Sequence, residues 1–558
     1  MTFSGSNVKL PDLRTRALVA GALFATFAYA YGLDSIFAPT IGDESLYLQI
    51  ARVTAASGRW LPLRWEAGVN DTKPPMLFWQ GIASTGRGAH WDLWHLRLPV
   101  VALSLATAAL AAALALRLAG SRRAALTAGL VFLGFLSTIQ YGRPFLTNAG
   151  ETLFLFLPLA LVATRACTSL PLALAAGASL GLAALYKSFV VVAPGTFALA
   201  LVLWRREGWS IPGLLRRHGV FLAVAALLGL AVFGLWPLLD PQRELVWWHF
   251  VYGENVGKLQ GGDYLEGLLS GESSIWQIWL GDLRNAGLYA PLVLALLWDL
   301  WRRRRELPAP EAELWLYVLA FLLFYSVPSQ RQPNYLLPTT PALAVLLALR
   351  WEALAGVAVR LPLAVMGILG LAIPVLAVGL QRRLPGLEIP LATLALPVAL
   401  ALPSLVGAVR LPFGRAALPW LALGALVVGS AVLAPFSHPF PAAARAETRG
   451  RPVWFPDRFE QSQERYRFLL PEADVRGYPC KGGASSCDAV PGAGGEHAVF
   501  YRGLGEALPP GYQAVAALPH FRGRHTDAQI LEILGGRFDL LVEWMVLARP
   551  VAPGAAAP

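Results

Sequence analysis

Charge is scarce in this chain. Asp, Glu, Lys and Arg make up 15% of its 558 residues, against about 25% in soluble domains, and that scarcity excludes a water-soluble fold for most of the length. No Gly-rich phosphate loop and no Ser-His-Asp order is present. No basic stretch is interleaved with aromatics, so the net charge of +11 does not describe a nucleic-acid track. Internal repeats are lacking as well. Cysteine is limited to three positions, Cys167, Cys480 and Cys487. The last two flank a short Gly/Ser segment and read either as a disulfide in an oxidising compartment or as two unrelated thiols.

What the chain has instead is apolar sequence, 56% by composition. Runs long enough to cross a hydrocarbon layer, about 17 to 25 residues, recur near 17–37, 96–117, 124–141, 146–165, 170–187, 189–204, 219–239, 285–301, 313–328, 335–349, 357–379, 389–409 and 416–435. The pattern predicts a mainly α, polytopic membrane protein of about thirteen transmembrane helices. Lys9, Arg14 and Arg16 precede the first run without a convincing cleavage site, which predicts an uncleaved first helix. Arginines then cluster at alternate connections: Arg117/Arg122/Arg123, Arg165, Arg205/Arg206/Arg216/Arg217, Arg302 to Arg305, Arg350 and Arg410/Arg415. The positive-inside rule therefore predicts a cytoplasmic N-terminus and a tail on the opposite side, with Arg382/Arg383 as the exception. Charge and turn residues rise after Ala434, so the expected division is a membrane domain over 1–436 and a small α/β domain over 437–558, with strands at 497–502 and 538–545.

Two connections on the non-cytoplasmic side are long, 38–95 and 240–284. Both are rich in carboxylates, Trp and Tyr, and loops of such length usually carry function. Their Trp residues read as short helices on the membrane surface or as an aromatic belt that fixes depth. The first loop opens Gly42-Asp43-Glu44-Ser45-Leu46-Tyr47 ahead of an amphipathic stretch. Acids at a helix start either cap it or do chemistry. Farther on, Lys73 stands before Pro74-Pro75, in an extended segment that holds its ammonium either toward a phosphate or simply in the headgroup layer. Lys187 falls in a very short turn between two apolar runs, where a charge either has a task or snorkels to the interface. The histidines give little metal signal: His90 and His95 do not share a helix face well, and His249 with Glu254 or Asp263 is the one other pair to test.

Taken together, Gly42-Asp43-Glu44 with Tyr47, Ile50 and Ala51, then Ser57-Gly58-Arg59-Trp60-Leu61-Pro62, Lys73-Pro74-Pro75 and Trp79, resemble the dolichyl-phosphate-mannose protein mannosyltransferase superfamily and its bacterial relative, the lipid A aminoarabinose transferases. The resemblance continues through Arg143 to Glu151, Leu185-Tyr186-Lys187-Ser188, Phe250 to Gly257 and Tyr335-Leu336-Leu337-Pro338. It covers most of 35–345 and includes nothing in the tail. It implies a type C glycosyltransferase of the bacterial inner membrane, which takes a sugar from a polyprenyl phosphate and inverts its anomeric centre in one displacement. The acceptor would be a lipid (lipid A-like), a glycan or a protein on the periplasmic side.

In that reaction a hydroxyl needs a base and a departing lipid phosphate needs cations. The resemblance implies Asp43 as base beside Glu44, with Glu151 or Asn148 as the second-loop acidic position; Glu151 carries the charge. Lys73, Lys187, Arg331 and Tyr335 are the phosphate-binding candidates, and Tyr47, Trp79, Glu254 and Asn255 the substrate-binding ones. Leu46 and Thr72 stand where aminoarabinose transferases keep an Arg and an acid, which weakens the expectation of identical donor handling and of a bound metal. No cofactor is required, although a divalent metal stays open. The lack of a nucleotide-binding domain argues against a nucleotide-sugar donor. A transporter or flippase of lipid-linked sugars is the alternative; it predicts ionisable groups deep within spans and repeated halves, whereas the charges here lie at span ends.

Overall fold

The computed structural model describes residues 13–37, 42–256, 266–271, 273–384, 387–457, 461–480, 487, 490, 496–503, 505–522 and 525–551. It is mostly helical. The chain enters through α1 (Leu13–Ala30) and then forms the first long loop, built from α2 (Gly42–Ala56), a two-stranded ribbon of β1 (Arg64–Trp65) and β2 (Gly68–Val69), and α3 (Met76–Ser84). Next come α4 (Leu93–Ala119), α5 (Arg122–Gly134), α6 (Leu136–Tyr141), α7 (Asn148–Ala163), α8 (Leu170–Tyr186), α9 (Val192–Arg206) and α10 (Ile211–Leu239). The run at 124–141 is thus broken: Phe135 leaves the helix at φ −64°, ψ 137°, and its fully buried ring packs edge-on against Tyr289.

Among the described residues, six helices are long and apolar enough to span a bilayer: Leu93–Ala119, Phe189–Arg206, Ile211–Leu239, Gly356–Arg383, Leu391–Val409 and Leu411–Phe436. The protein is a multi-pass membrane protein. Shorter apolar helices, Asn148–Ala163 and Leu170–Tyr186 among them, complete the bundle. At one end of it arginines are tied down by carboxylates: Arg206 is bidentate on Glu313 at 2.7 Å, and Asp299 receives both Arg303 and Arg350.

The other end carries the long loops and the tail. Five strands, β3 (Pro452–Asp457), β4 (Asp474–Pro479), β5 (His497–Arg502), β6 (Tyr512–Phe521) and β7 (Val542–Pro550), form one sheet in the order β4-β3-β5-β7-β6. The β3–β4 and β3–β5 pairs are parallel, and β7 runs antiparallel to both its neighbours. The strand expected at 538–545 begins later, because Phe538–Leu541 is a 3-10 turn. Cys480 and Cys487 are joined as a disulfide with Cα atoms 4.9 Å apart, while Cys167 is free and exposed.

Helix α2 is wedged between bundle and tail, which explains its composition. Leu48, Ile50 and Ala51 are buried in an apolar cluster that runs from Leu96 and Phe145 to Phe455 and Tyr466 of the tail. Arg52 reaches Glu464 and Glu66 at 2.5 and 2.6 Å, and Gln49 donates to Gln461 at 2.8 Å. The first loop is therefore held on both faces, and its N-terminal acids occupy fixed positions.

Candidate functional site

Glu151 lies in the first turn of α7 and Lys187 caps the C-terminal end of α8. A helix N-terminus favours an anion and a C-terminus a cation, so these antiparallel neighbours present opposite charges at the same end of the bundle. Lys187 Nζ is 3.8 Å from Glu151 Oε2, and Glu151 is almost wholly buried. Asn148 Nδ2 donates to the same Oε2 at 3.5 Å. Close packing at Gly150 sets the separation of the two helices, since a Cβ there would stand 2.5 Å from the Tyr186 ring. The Tyr186 hydroxyl in turn donates to Gln80 Oε1 of α3 at 2.5 Å.

Three more segments converge on Lys187. Its ammonium lies 5.8 Å from the centre of the Tyr335 ring, within the 3-10 segment Pro333–Thr339, and that ring packs on Tyr325 at 5.4 Å. Asp43 and Tyr141 are within electrostatic reach of it as well. Asp43 is exposed in the first turn of α2. The neighbouring Ser188 hydroxyl donates to Asn255 Oδ1 at 2.7 Å, and Asn255 Nδ2 donates to the Phe250 carbonyl. A carboxylate open to solvent, a cation beside a buried carboxylate and a phenol ring thus lie within electrostatic reach of one another.

The adjacent acids of α2 have different partners. Glu44 is buried, accepts two bonds of 2.7 Å from Arg97 Nε and Nη2, and accepts the Phe145 N–H at 2.7 Å. Arg97 spends its remaining donor on the Leu33 and Ser35 carbonyls. These bonds occupy both Glu44 oxygens and anchor the start of α2. Tyr47 is likewise buried, edge-on to Phe78 at 5.7 Å, and Trp79 donates its indole N–H to the Trp60 carbonyl, so both brace the loop. Arg331 is buried and bonds the Ser326 and Ser273 carbonyls, joining the second loop to the Tyr335 segment.

Lys73 and Glu254 are partly buried. Between them runs a link that the sequence did not reveal. His249, in the π-helical segment Val246–Val256, places Nδ1 2.7 Å from Asp71 Oδ2. Its partner is therefore Asp71 and not Glu254; Asp263 lies outside the described residues. Asp71 is buried two positions before Lys73, and this nearness to Lys-Pro-Pro was the available signal. No group of three or more His, Cys, Asp or Glu suited to a metal occurs among the described residues.

Farther into the second loop, the Asp282 carboxyl is pushed up to about 7 by burial, against a hydrogen bond from Thr339 that lowers it. Thr339 Oγ1 lies 2.7 Å from Asp282 Oδ1 and 2.6 Å from the Leu336 carbonyl.

The fold and this charge arrangement define a multi-pass membrane protein with its polar site at a bundle end, under a soluble sheet. Comparison with known proteins gives the particular likeness. The chain is 27% identical over 319 residues to the undecaprenyl phosphate-alpha-4-amino-4-deoxy-L-arabinose arabinosyl transferase of Pseudomonas aeruginosa, covering 55% of this chain and 54% of that one. It is 26% identical over 346 residues to the corresponding transferase 2 of Proteus mirabilis, with 59% and 58% covered. The chain spans about half the length of the curated relatives it matches. The crystal structure of ArnT from Cupriavidus metallidurans bound to undecaprenyl phosphate superposes with a TM-score of 0.62 at 19% identity, over 98% of this chain and 99% of that one; the two share a fold. No family model matches. Both likenesses agree with the resemblance carried by the Asp43, Lys73 and Lys187 motifs.

Proposed function

We propose that the protein is an inverting glycosyltransferase of the bacterial inner membrane, moving a sugar from a polyprenyl phosphate to a lipid (lipid A-like), glycan or protein acceptor on the periplasmic side. The observation that carries this reading is the convergence of Asp43, Glu151, Lys187 and Tyr335, from four separate segments, on one end of the bundle. In this reading thirteen spans place the N-terminus in the cytoplasm and residues 437–558 in the periplasm.

The acceptor oxygen attacks the anomeric carbon while its proton passes to the Asp43 carboxylate. The bond from that carbon to the phosphate oxygen breaks, and the electron pair leaves with the polyprenyl phosphate. Lys187, Lys73 and the Tyr335 hydroxyl hold the growing phosphate charge. Glu151 orients Lys187 from behind, and Arg331, Glu254 and Asn255 fix the loops that close around the donor.

The test is Asp43→Asn in protein reconstituted in lipid nanodiscs and supplied with a polyprenyl-phosphate aminoarabinose donor and lipid A. Loss of transfer of at least about a hundredfold, the usual scale for removing a general base, is expected with donor affinity retained. Full transfer by the folded variant refutes the assignment.

A further inference from the structure

The tail contains one helix whose polarity is inside out. Asp527–Leu534 is well started, with Thr526 and Gln529 bonding each other's backbone N–H groups. None of its residues is buried. Ile530, Leu531 and Leu534 are 45%, 70% and 78% exposed, and their spacing of i, i+1 and i+4 puts them on one outward stripe. A helix that only served the tail would turn that stripe inward.

Its location supplies the occupant. The turn that follows presses Phe538 onto Gly379, where a Cβ would stand 3.1 Å from the ring. Phe521, Phe538, Leu541 and Val542 of the tail pack on Leu380, Leu384, Leu433 and Phe436 at the ends of two spanning helices. Farther back along the same spanning helix, Val375 and Val378 are exposed. The apolar stripe therefore ends four residues before Phe538, which packs at the end of the spanning helix Gly356–Arg383. At the same level Arg383 Nη1 is 3.7 Å from Asp539 Oδ1, and Asp539 also receives Arg537. That pairing gives Arg383, one of the two arginines that broke the charge rule, a carboxylate partner in the tail.

We propose that the helix Asp527–Leu534 lies in the membrane surface, with Ile530, Leu531 and Leu534 inserted among the lipid chains beside the end of Gly356–Arg383. A short amphipathic helix of this kind binds by burying its apolar face in the headgroup–acyl boundary. It gives the tail a second attachment to the bilayer, lateral to its contact with α2. The inference needs only that the chain spans a membrane and is independent of the catalytic assignment.

The test is nitroxide labelling of the full chain in nanodiscs. Single cysteines replace Leu531, Leu534, Glu532 or Ala514, with Cys167→Ala removing the native free thiol and the disulfide left intact. Collision with oxygen, which partitions into lipid, is compared with collision with a water-soluble nickel chelate. Labels at 531 and 534 are expected to show a severalfold higher oxygen-to-nickel ratio than those at 532 and 514, in discs holding one chain each. Nickel access at 531 and 534 equal to that at 514 overturns the inference. So does protection that occurs only in discs with two chains, since a second copy would then be the occupant. All four side chains are exposed rather than packed within the protein, so the labels do not threaten folding.

Discussion

Replacing Lys187 by Met separates two tasks that its position combines. At 3.8 Å from Glu151, two unit charges in an effective dielectric near 20 attract by about 4 kcal/mol. Lys187→Met therefore leaves a buried carboxylate uncompensated, and Glu151 answers by taking up a proton. If Lys187 also holds the leaving phosphate, its removal costs the chemical step about a hundredfold to a thousandfold, the scale of losing one charge-stabilising donor. The double variant Lys187→Met/Glu151→Gln distinguishes the two. Substituting Gln for Glu151 relieves the orphaned charge without restoring a cation, so thermal stability should recover in the double variant while transfer stays low. Transfer is measured in nanodiscs from donor to acceptor, and stability by thermal unfolding of the same preparations. Recovery of transfer in the double variant would refute phosphate holding by Lys187 and leave it as the counter-ion of Glu151.

Arg97→Leu strips Glu44 of both 2.7 Å bonds and should destabilise the protein by about 3–5 kcal/mol, the cost of breaking a buried pair from one side; Arg97→Leu/Glu44→Leu should regain part of it, and a thermal midpoint unchanged by the single substitution would contradict the anchoring role. Asp282 gives a pH signature. Its folded-state carboxyl is raised to about 7 from an unfolded value near 3.9, so between those values the folded state binds the extra proton and stability falls as pH rises. Asp282→Asn should flatten thermal stability between about pH 4 and pH 7 relative to the parent chain, and an identical pH profile in the two proteins would argue against a raised Asp282 carboxyl.

The multi-pass membrane character and the C-terminal sheet were legible because both are written in local composition: uninterrupted apolar runs, then a rise in charge after Ala434. Lys187 was legible for a similar reason, as an ammonium left in a turn between two such runs. The pairs that build the site were not. Glu44 meets Arg97 across 53 positions and the Phe145 N–H across 101, and Asp71 meets His249 across 178. No local periodicity encodes such partners. His249 was read with its sequence neighbours because proximity in sequence was the only measure available, and the break at Phe135 was hidden because a buried aromatic looks the same within a continuous helix and at a corner.

Asp43 and Glu44 show what the fold adds to a motif. Side by side in sequence, both carboxylates suit the base role, and a motif match cannot choose between them. On a helix, successive residues point about 100° apart, so when α2 is pinned between bundle and tail only one of the two can face the Lys187 cluster. The bundle side offers a guanidinium and a free N–H, and Glu44 takes both. Asp43 is left exposed, in the field of Lys187. Removal of the Arg52–Glu464 bridge would therefore act on Asp43 indirectly, by loosening the clamp that fixes the rotation of α2.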